Sequence, residues 1–211
     1  IILAGGYGTR MSPLTKAVNK QLLPVYDKPL IYYPLSVLML AGIKNILIIV
    51  NKGQLKQFKN LLQDGSRLGI KINYAEQTKP RGLPDAFILG EKFIGKDNIA
   101  LILGDNFFYG QSLTKILKKN INLNSGAKIF IHPVKNPQLY GVATLSKNNK
   151  VSQLIEKPKK TNSNLAVTGL YFFDNKVVEL TKKLKRSKRG ELEIIDLLNI
   201  YKRKNKLENQ A

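Results

Sequence analysis

The sequence contains no cysteine, no tryptophan and a single histidine among its 211 residues. The lack of cysteine excludes disulfide bonds, cysteine-ligated zinc and thiol catalysis. One histidine excludes any site that needs two, such as a histidine-ligated zinc hydrolase. No apolar run approaches the roughly 18 residues that a membrane span requires, so we expect no membrane partner. Any chemistry must therefore come from carboxylates, lysine, arginine, hydroxyl groups and backbone amides.

Acidic residues are also scarce, with 14 Asp and Glu against 35 Lys and Arg and a formal net charge of +21. Such an excess would ordinarily indicate a nucleic-acid partner. However, 29 of the 35 basic residues are Lys, and the chain also has 19 Asn and 21 Ile. All three residue types have AT-rich codons, so genome composition explains the bias. Because the lysines are dispersed along the chain, we expect no specific nucleic-acid partner.

Short apolar runs alternate with helical patterns in the first part of the chain. Strands are predicted at Ile1–Leu3, Asn45–Val50, Lys71–Ala75, Ile99–Leu103 and Lys128–His132. Helices are predicted at Ile31–Ala41, Gln54–Leu62, Pro84–Phe93 and Ser112–Asn120. Nearly continuous apolar strands are typical of a parallel sheet buried on both faces. The alternation predicts an α/β fold with three layers and a mostly parallel sheet.

The pattern changes after about residue 135. Two predicted strands, Tyr140–Leu145 and Lys150–Ile155, flank a turn-like segment at 146–149. A further strand is predicted at Val167–Phe173, with helices at Asn175–Leu184 and Leu192–Lys204. We interpret residues 135–211 as a mixed-sheet extension of a single domain that carries a second substrate.

A glycine-rich segment, Gly5-Gly6-Tyr7-Gly8-Thr9-Arg10, follows the first predicted strand. Glycines allow a ligand to approach the backbone closely, and the freed amides form an anion-binding nest. Arg10 adds a guanidinium group suited to phosphate oxygens. Lys20, ten residues further on, supplies a second cation, which favours a polyphosphate site over a simple structural turn.

Two further segments place charged groups at strand ends. Asp105 follows the apolar strand at Ile99–Leu103, and ligands bind at the carboxyl edge of open α/β sheets. A carboxylate there suits Mg²⁺ that bridges phosphates, although a helix cap or turn is the simpler alternative. Glu156-Lys157-Pro158 ends a later strand, where Glu would accept from sugar hydroxyls and Lys would bind a phosphate.

Taken in order, these segments resemble the sugar-nucleotide pyrophosphorylases, and particularly the glucose-1-phosphate thymidylyltransferase family. The segments that narrow the resemblance are Tyr26–Pro29, Ile31–Ser36, Leu38–Ile43, Ala166–Phe172 and Arg189–Ile194. The resemblance runs from residue 1 to about residue 205 and implies the Rossmann-like fold of the nucleotide-diphospho-sugar transferases. Residues 1–134 would then form the nucleotide-binding half and residues 135–211 the sugar-binding half.

The resemblance implies Mg²⁺-dependent transfer from dTTP to α-D-glucose 1-phosphate, the first step of dTDP-rhamnose-type sugar synthesis. It further implies a cytoplasmic homo-oligomer, a tetramer in the family, serving lipopolysaccharide or O-antigen synthesis. The implied nucleotide-binding residues are Leu3, Gly5, Gly6, Gly8, Thr9, Arg10, Gln77 and Gly82, with Asp105 as metal ligand. The implied sugar-binding residues are Tyr140, Gly141, Glu156, Lys157 and Val167. Arg10, Lys20, Asp105 and Lys157 would act in catalysis.

One departure from the family pattern bears on activity. The family places a second metal-binding Asp in a Trp-x-Asp-Thr-Gly-Thr segment, and this sequence has no Trp and no such segment. We expect the sequence to be a fragment clipped at both ends, the alternative being a nucleotide-binding remnant without activity. A uridylyl- or cytidylyltransferase on the same scaffold is a second alternative.

Overall fold

A computed structural model describes residues 1–210 of the chain. Its strands are β1 (Ile2–Ala4), β2 (Pro24–Val25), β3 (Lys28–Pro29), β4 (Asn45–Asn51), β5 (Lys71–Gln77), β6 (Ile99–Leu103), β7 (Ala127–Pro133), β8 (Gly141–Leu145), β9 (Val151–Glu156), β10 (Leu165–Phe173) and β11 (Leu207–Gln210). Its α-helices are α1 (Tyr32–Leu40), α2 (Leu55–Leu62), α3 (Asp85–Leu89), α4 (Glu91–Ile94), α5 (Leu113–Ile121), α6 (Val177–Lys182) and α7 (Ile194–Arg203). No helix within residues 1–210 is both long enough and apolar enough to cross a membrane.

The chain forms two compact units, each made of separate segments. The first unit comprises residues 1–80 and 101–122, and the second comprises residues 81–100 and 123 onward. The division into halves at residue 134 stays a prediction.

A parallel sheet forms the centre of the first unit. Strand β1 pairs in parallel with both β4 and β6, and β4 pairs in parallel with β5. From Ile46 to Asn51 every residue of β4 is buried, as expected for a strand covered on both faces. Helix α2 buries Phe58 and Leu62, which lie four residues apart on one face. The predicted α/β fold with a mostly parallel sheet is confirmed.

The second unit contains a mixed sheet in the order β11–β7–β10–β8–β9. Strand β10 pairs antiparallel with β7 and β8, β8 pairs antiparallel with β9, and β11 joins β7 in parallel. The predicted β8–β9 hairpin is confirmed. Helix α7 buries Ile194, Leu197, Leu198 and Tyr201, a spacing that places them on one face.

Two sequence expectations were wrong. The single helix predicted at Pro84–Phe93 is two short helices, α3 and α4, which meet at Gly90. Glycine is a poor helix former, and its flexible backbone allows the break. The prediction also ended with a helix at Lys204 and missed β11, whose residues are polar and only partly buried. An edge strand of that composition carries no apolar alternation from which to predict it.

Candidate active site

The glycine-rich loop begins directly after β1, at the carboxyl edge of the parallel sheet in the first unit. The last residues of β4 and β5, Asn51 and Gln77, are register partners at the same edge. A Cβ on Gly5 would lie 1.7 Å from Nε2 of Gln77 and 3.2 Å from Oδ1 of Asn51. Gly5 therefore permits the Gln77 carboxamide to lie against the loop backbone. Leu3, one of the predicted nucleotide contacts, is half-buried in β1.

Hydrogen bonds from two side chains hold the backbone of the loop. Gly6 adopts a φ of 101°, its N–H donates to Oδ1 of Asn51 (3.1 Å), and its carbonyl accepts from Nδ2 of the same residue (3.1 Å). Gly8 has a φ of 59°, and its carbonyl accepts from the Thr15 hydroxyl (2.9 Å). These positive φ values favour glycine over any residue with a side chain. Thr9 and Arg10 follow in a short 3-10 helix and are exposed to solvent.

Lys20 and Asp105 form an ion pair in the first unit, although 85 residues separate them in sequence. The Lys20 ammonium donates to Oδ2 of Asp105, and Asn106 Nδ2 donates to Oδ1 at 3.0 Å. Their side chains are 23% and 31% exposed, so a ligand can reach both. Asn19, which precedes Lys20, is held in place because its Nδ2 donates to the Ala4 carbonyl (3.2 Å). Its Oδ1 caps the turn that contains Lys20 by accepting from the Gln21 N–H (2.8 Å).

In the second unit, the predicted sugar-binding residues gather at the β8–β9 pair. Gly141 is the register partner of Glu156, and a Cβ on Gly141 would lie 3.4 Å from Oε2 of Glu156. Strand β9 ends at Glu156, in agreement with the strand end predicted at Glu156-Lys157-Pro158. Lys157 then adopts a φ of 41° and donates its N–H to the Tyr140 carbonyl (3.0 Å). Tyr140 itself is 45% exposed, and Val167 is buried in β10.

Arg189 links two carboxylates in this unit. It donates two hydrogen bonds to Glu193 (2.8 and 3.2 Å) and one to Oε1 of Glu156 (3.2 Å). Burial, and secondarily repulsion from Glu193, raises the pKa of Glu156 above its usual 4.5, against the attraction of Lys157 and Arg189. The cluster therefore holds a carboxylate whose charge is only partly compensated, an acceptor suited to ligand hydroxyl groups.

Gly82 lies in the second unit, where its backbone packs against Leu192, two residues before α7 begins. A Cβ on Gly82 would lie 2.0 Å from the Leu192 carbonyl oxygen, and Leu192 N–H donates to the Arg81 carbonyl (2.7 Å). With a φ of 101°, this position accepts only glycine without strain. Gln77 belongs to the first unit, so the two predicted base-reading residues are positioned by different elements.

Sequence reasoning missed the residues that support these sites. Asn51 and Thr15 bond the loop backbone, and Asn19 bonds the carbonyl of Ala4 at the end of β1. Arg189 and Glu193 surround Glu156. One feature of the sequence could have indicated Asn51, because it ends β4 directly after five consecutive apolar residues, Ile46–Val50. Such a residue lies at the ligand-binding edge of a parallel sheet.

Comparison with known proteins identifies the class. The sequence matches the family described as nucleotidyl transferase over residues 1–210, and the chain belongs to that family. A glucose-1-phosphate thymidylyltransferase of Neisseria meningitidis is 57% identical over 201 residues, which cover 95% of this chain and 70% of the relative. Within the nucleotidyl transferases, the chain is a member of the glucose-1-phosphate thymidylyltransferase group.

Solved structures of sugar-nucleotide enzymes have the same fold. A Bacillus anthracis protein described as a glucose-1-phosphate thymidylyltransferase, in complex with a sucrose, matches with a TM-score of 0.91 and 39% identity. The match covers 99% of this chain and 84% of that one. A UDP-glucose pyrophosphorylase complexed with UDP-glucose has a TM-score of 0.79 and 27% identity, covering 96% and 86% of the two chains.

Proposed function

We propose that this chain transfers a thymidylyl group from dTTP to α-D-glucose 1-phosphate, forming dTDP-glucose and pyrophosphate. The observation that carries the proposal is the glycine-rich Gly5–Arg10 loop at the sheet edge where Lys20 and Asp105 pair. It occurs in a chain 57% identical to a relative that bears this activity as its name.

The loop and its cations would bind the nucleotide phosphates. The Gly6 N–H is already donated to Asn51, so backbone amides from Tyr7 to Arg10 would be the donors for phosphate oxygens. The exposed Arg10 guanidinium would add a planar fork. Lys20 would neutralise charge that develops on the transferring phosphate. Leu3 and Gly5 would contact the nucleoside, with Gln77 and Gly82 as readers of the base.

The reaction requires positioning and charge stabilisation, without a covalent enzyme intermediate. An oxygen of the sugar phosphate attacks the α-phosphorus, a new P–O bond forms, and the bond from that phosphorus to the α,β-bridging oxygen breaks. Pyrophosphate leaves with the electron pair. Because a phosphate monoester is largely ionised at neutral pH, the attacking oxygen needs no general base. Phosphoryl chemistry of this kind depends on orientation and fixed positive charge.

Asp105 is the residue we propose as a Mg²⁺ ligand. Mg²⁺ prefers oxygen donors and is usually held by one or two carboxylates together with substrate phosphates and waters. The partly exposed Asp105 carboxylate would supply one such oxygen donor, in exchange for the bond that it now accepts from the Lys20 ammonium. A bound Mg²⁺ would neutralise phosphate charge at this edge. Among residues 1–210 no group of three or more His, Cys, Asp or Glu side chains that could hold a metal ion occurs.

Glucose 1-phosphate would bind in the second unit. Glu156 would accept hydrogen bonds from sugar hydroxyl groups, with Tyr140, Gly141 and Val167 as further contacts. Lys157 would bind the sugar phosphate as a point charge, which its position beyond the end of β9 supports. We further propose a cytoplasmic homo-oligomer, a tetramer, acting in dTDP-rhamnose-type synthesis for lipopolysaccharide.

Uridylyl transfer is the second candidate, favoured by the likeness to a UDP-glucose pyrophosphorylase. Pyrophosphate release from the purified chain tests both candidates, with Mg²⁺, glucose 1-phosphate and either dTTP or UTP. We expect release that requires both substrates, is faster with dTTP and is abolished by Asp105→Ala. Faster release with UTP would favour the second candidate. The absence of release with either nucleotide would contradict enzymatic activity of this chain.

A further inference from the structure

Asn51 is a buried amide at the carboxyl end of β4 whose orientation is fixed by the backbone. The Gly6 N–H can only donate, so the Asn51 atom 3.1 Å from it must be the carbonyl oxygen Oδ1. The Gly6 carbonyl can only accept, so the atom facing it, also at 3.1 Å, must be the amide nitrogen Nδ2. Both ends of the Asn51 carboxamide are therefore assigned by one residue of the loop.

The orientation of Gln77 follows from that of Asn51. Oδ1 of Asn51 lies 3.0 Å from an end atom of the Gln77 carboxamide, and an acceptor requires a donor as its partner. That end is therefore Nε2. The flat Gln77 carboxamide lies over Gly5, where the missing Cβ leaves room for it. One hydrogen of Nε2 is donated to Asn51, which fixes the orientation of the carboxamide, so the acceptor that Gln77 can offer to a ligand is Oε1 at its other end.

We infer that Asn51 is a positioning residue that sets base selection by fixing Gln77 with its acceptor toward the nucleotide. An acceptor at this point fits bases that carry a ring N3–H, such as thymine and uracil. Cytosine presents an unprotonated N3, which would face Oε1 as a second acceptor and lose the hydrogen bond. This inference deepens the proposed function, since it concerns the same nucleotide site.

The role depends on the planar end group of Asn51, whose oxygen Oδ1 accepts from both the Gly6 N–H and Nε2 of Gln77. A residue that only filled space would leave Gln77 free to rotate by half a turn and present either Nε2 or Oε1. A residue with a single hydroxyl has no planar end group to hold one acceptor against both the Gly6 N–H and Nε2 of Gln77. Loss of Asn51 should therefore weaken discrimination between bases more than it weakens nucleotide binding itself.

Calorimetric titration with dUTP and dCTP tests the inference, because these ligands share the deoxyribose triphosphate and differ at N3 and position 4. For the wild-type chain we expect dUTP to bind about tenfold more tightly, the ratio that corresponds to one hydrogen bond. Asn51→Ala should reduce that ratio to about threefold or less. Asn51→Ser, which keeps a polar group, serves the same purpose if the alanine variant does not fold.

Two matched variants control for indirect effects. Asn51→Asp retains an acceptor for Nε2 of Gln77, so it should keep the ratio while its negative charge weakens binding of both nucleotides. Asn45 lies at the opposite end of β4 and accepts from Asn73 of β5 at 3.1 Å on the exposed surface. Asn45→Ala should leave both affinities and their ratio unchanged.

The inference is overturned if Asn51→Ala and Asn51→Ser keep the wild-type ratio, or if the wild-type chain binds dUTP and dCTP equally. Failure of the proposed function has a different signature. In that case the wild-type chain would show the base preference and its loss in Asn51→Ala, yet release no pyrophosphate with dTTP and glucose 1-phosphate.

Discussion

Replacement of Gly5 by alanine should damage the nucleotide site through one defined collision. The added Cβ would lie 1.7 Å from Nε2 and 2.7 Å from Cδ of Gln77, far inside van der Waals contact. Gln77 is only 5% exposed and donates to Asn51 at 3.0 Å, so its carboxamide cannot move without breaking that bond. The Gly5 backbone does not have a positive φ, so no backbone strain is added to the side-chain collision.

The magnitude follows from the two terms involved. Loss of one buried hydrogen bond costs about 1 kcal/mol, and overpacking costs about 1–3 kcal/mol, which gives roughly 2–4 kcal/mol of lost stability. For a chain of this size each kcal/mol lowers Tm by about 2–4 °C, so we expect a decrease of about 4–16 °C.

Thermal unfolding of Gly5→Ala and Gly110→Ala measures this difference. Gly110 lies in the same unit, has no positive φ and has no atom within 4 Å of an added Cβ. We expect the Tm of Gly110→Ala to stay close to that of the wild-type chain. A Gly5→Ala variant with wild-type Tm and wild-type dTTP affinity would refute the packing of Gln77 against Gly5.

Three further predictions concern charged groups. Lys20→Met should change the free energy of unfolding by less than about 1 kcal/mol, because the pair with Asp105 is partly exposed, but should lower kcat about 100-fold in steady-state assays. Burial raises the pKa of Asp85 above its usual 3.8, so the Asp85 carboxyl binds a proton more tightly in the folded chain than in the unfolded chain. The folded chain therefore loses stability as the pH rises from 3.8 to the pKa of Asp85 in the folded state. Asp85→Asn should therefore stabilise the chain at pH 7 and not at pH 3 in urea titrations, whereas Asp97→Asn on the surface should do neither. Arg189→Lys removes the paired hydrogen bonds to Glu193 and should therefore disturb the cluster around Glu156. We expect KM for glucose 1-phosphate to rise about tenfold and KM for dTTP to stay the same. Equal changes in both KM values would contradict this prediction.

The elements that the sequence predicts well are those whose signal is local. Strands β4 and β6 are continuous apolar runs, and each occurs within one residue of its predicted bounds. Three glycines predict the loop after β1. Two of them, Gly6 and Gly8, have a positive φ, which favours glycine. The position of the loop at the sheet edge follows from the parallel pairing of β1.

The parts that could not be predicted depend on contacts between distant residues. The Lys20–Asp105 pair joins residues 85 positions apart, and no pattern near either residue indicates its partner. Asn51 is one Asn among 19, and its role follows only from its position opposite Gly6 and Gln77. Strand β11 depends on pairing with β7, since its own residues are polar.

The most direct test of the account follows the oxygen atoms of the sugar phosphate. Glucose 1-phosphate labelled with heavy oxygen at every phosphate position is incubated with the purified chain, unlabelled dTTP and Mg²⁺, and the products are weighed by mass spectrometry. Direct attack on the α-phosphorus predicts dTDP-glucose that retains every labelled oxygen and pyrophosphate that contains none. Label in the pyrophosphate, or loss of label from the sugar nucleotide, would contradict nucleotidyl transfer to the intact sugar phosphate.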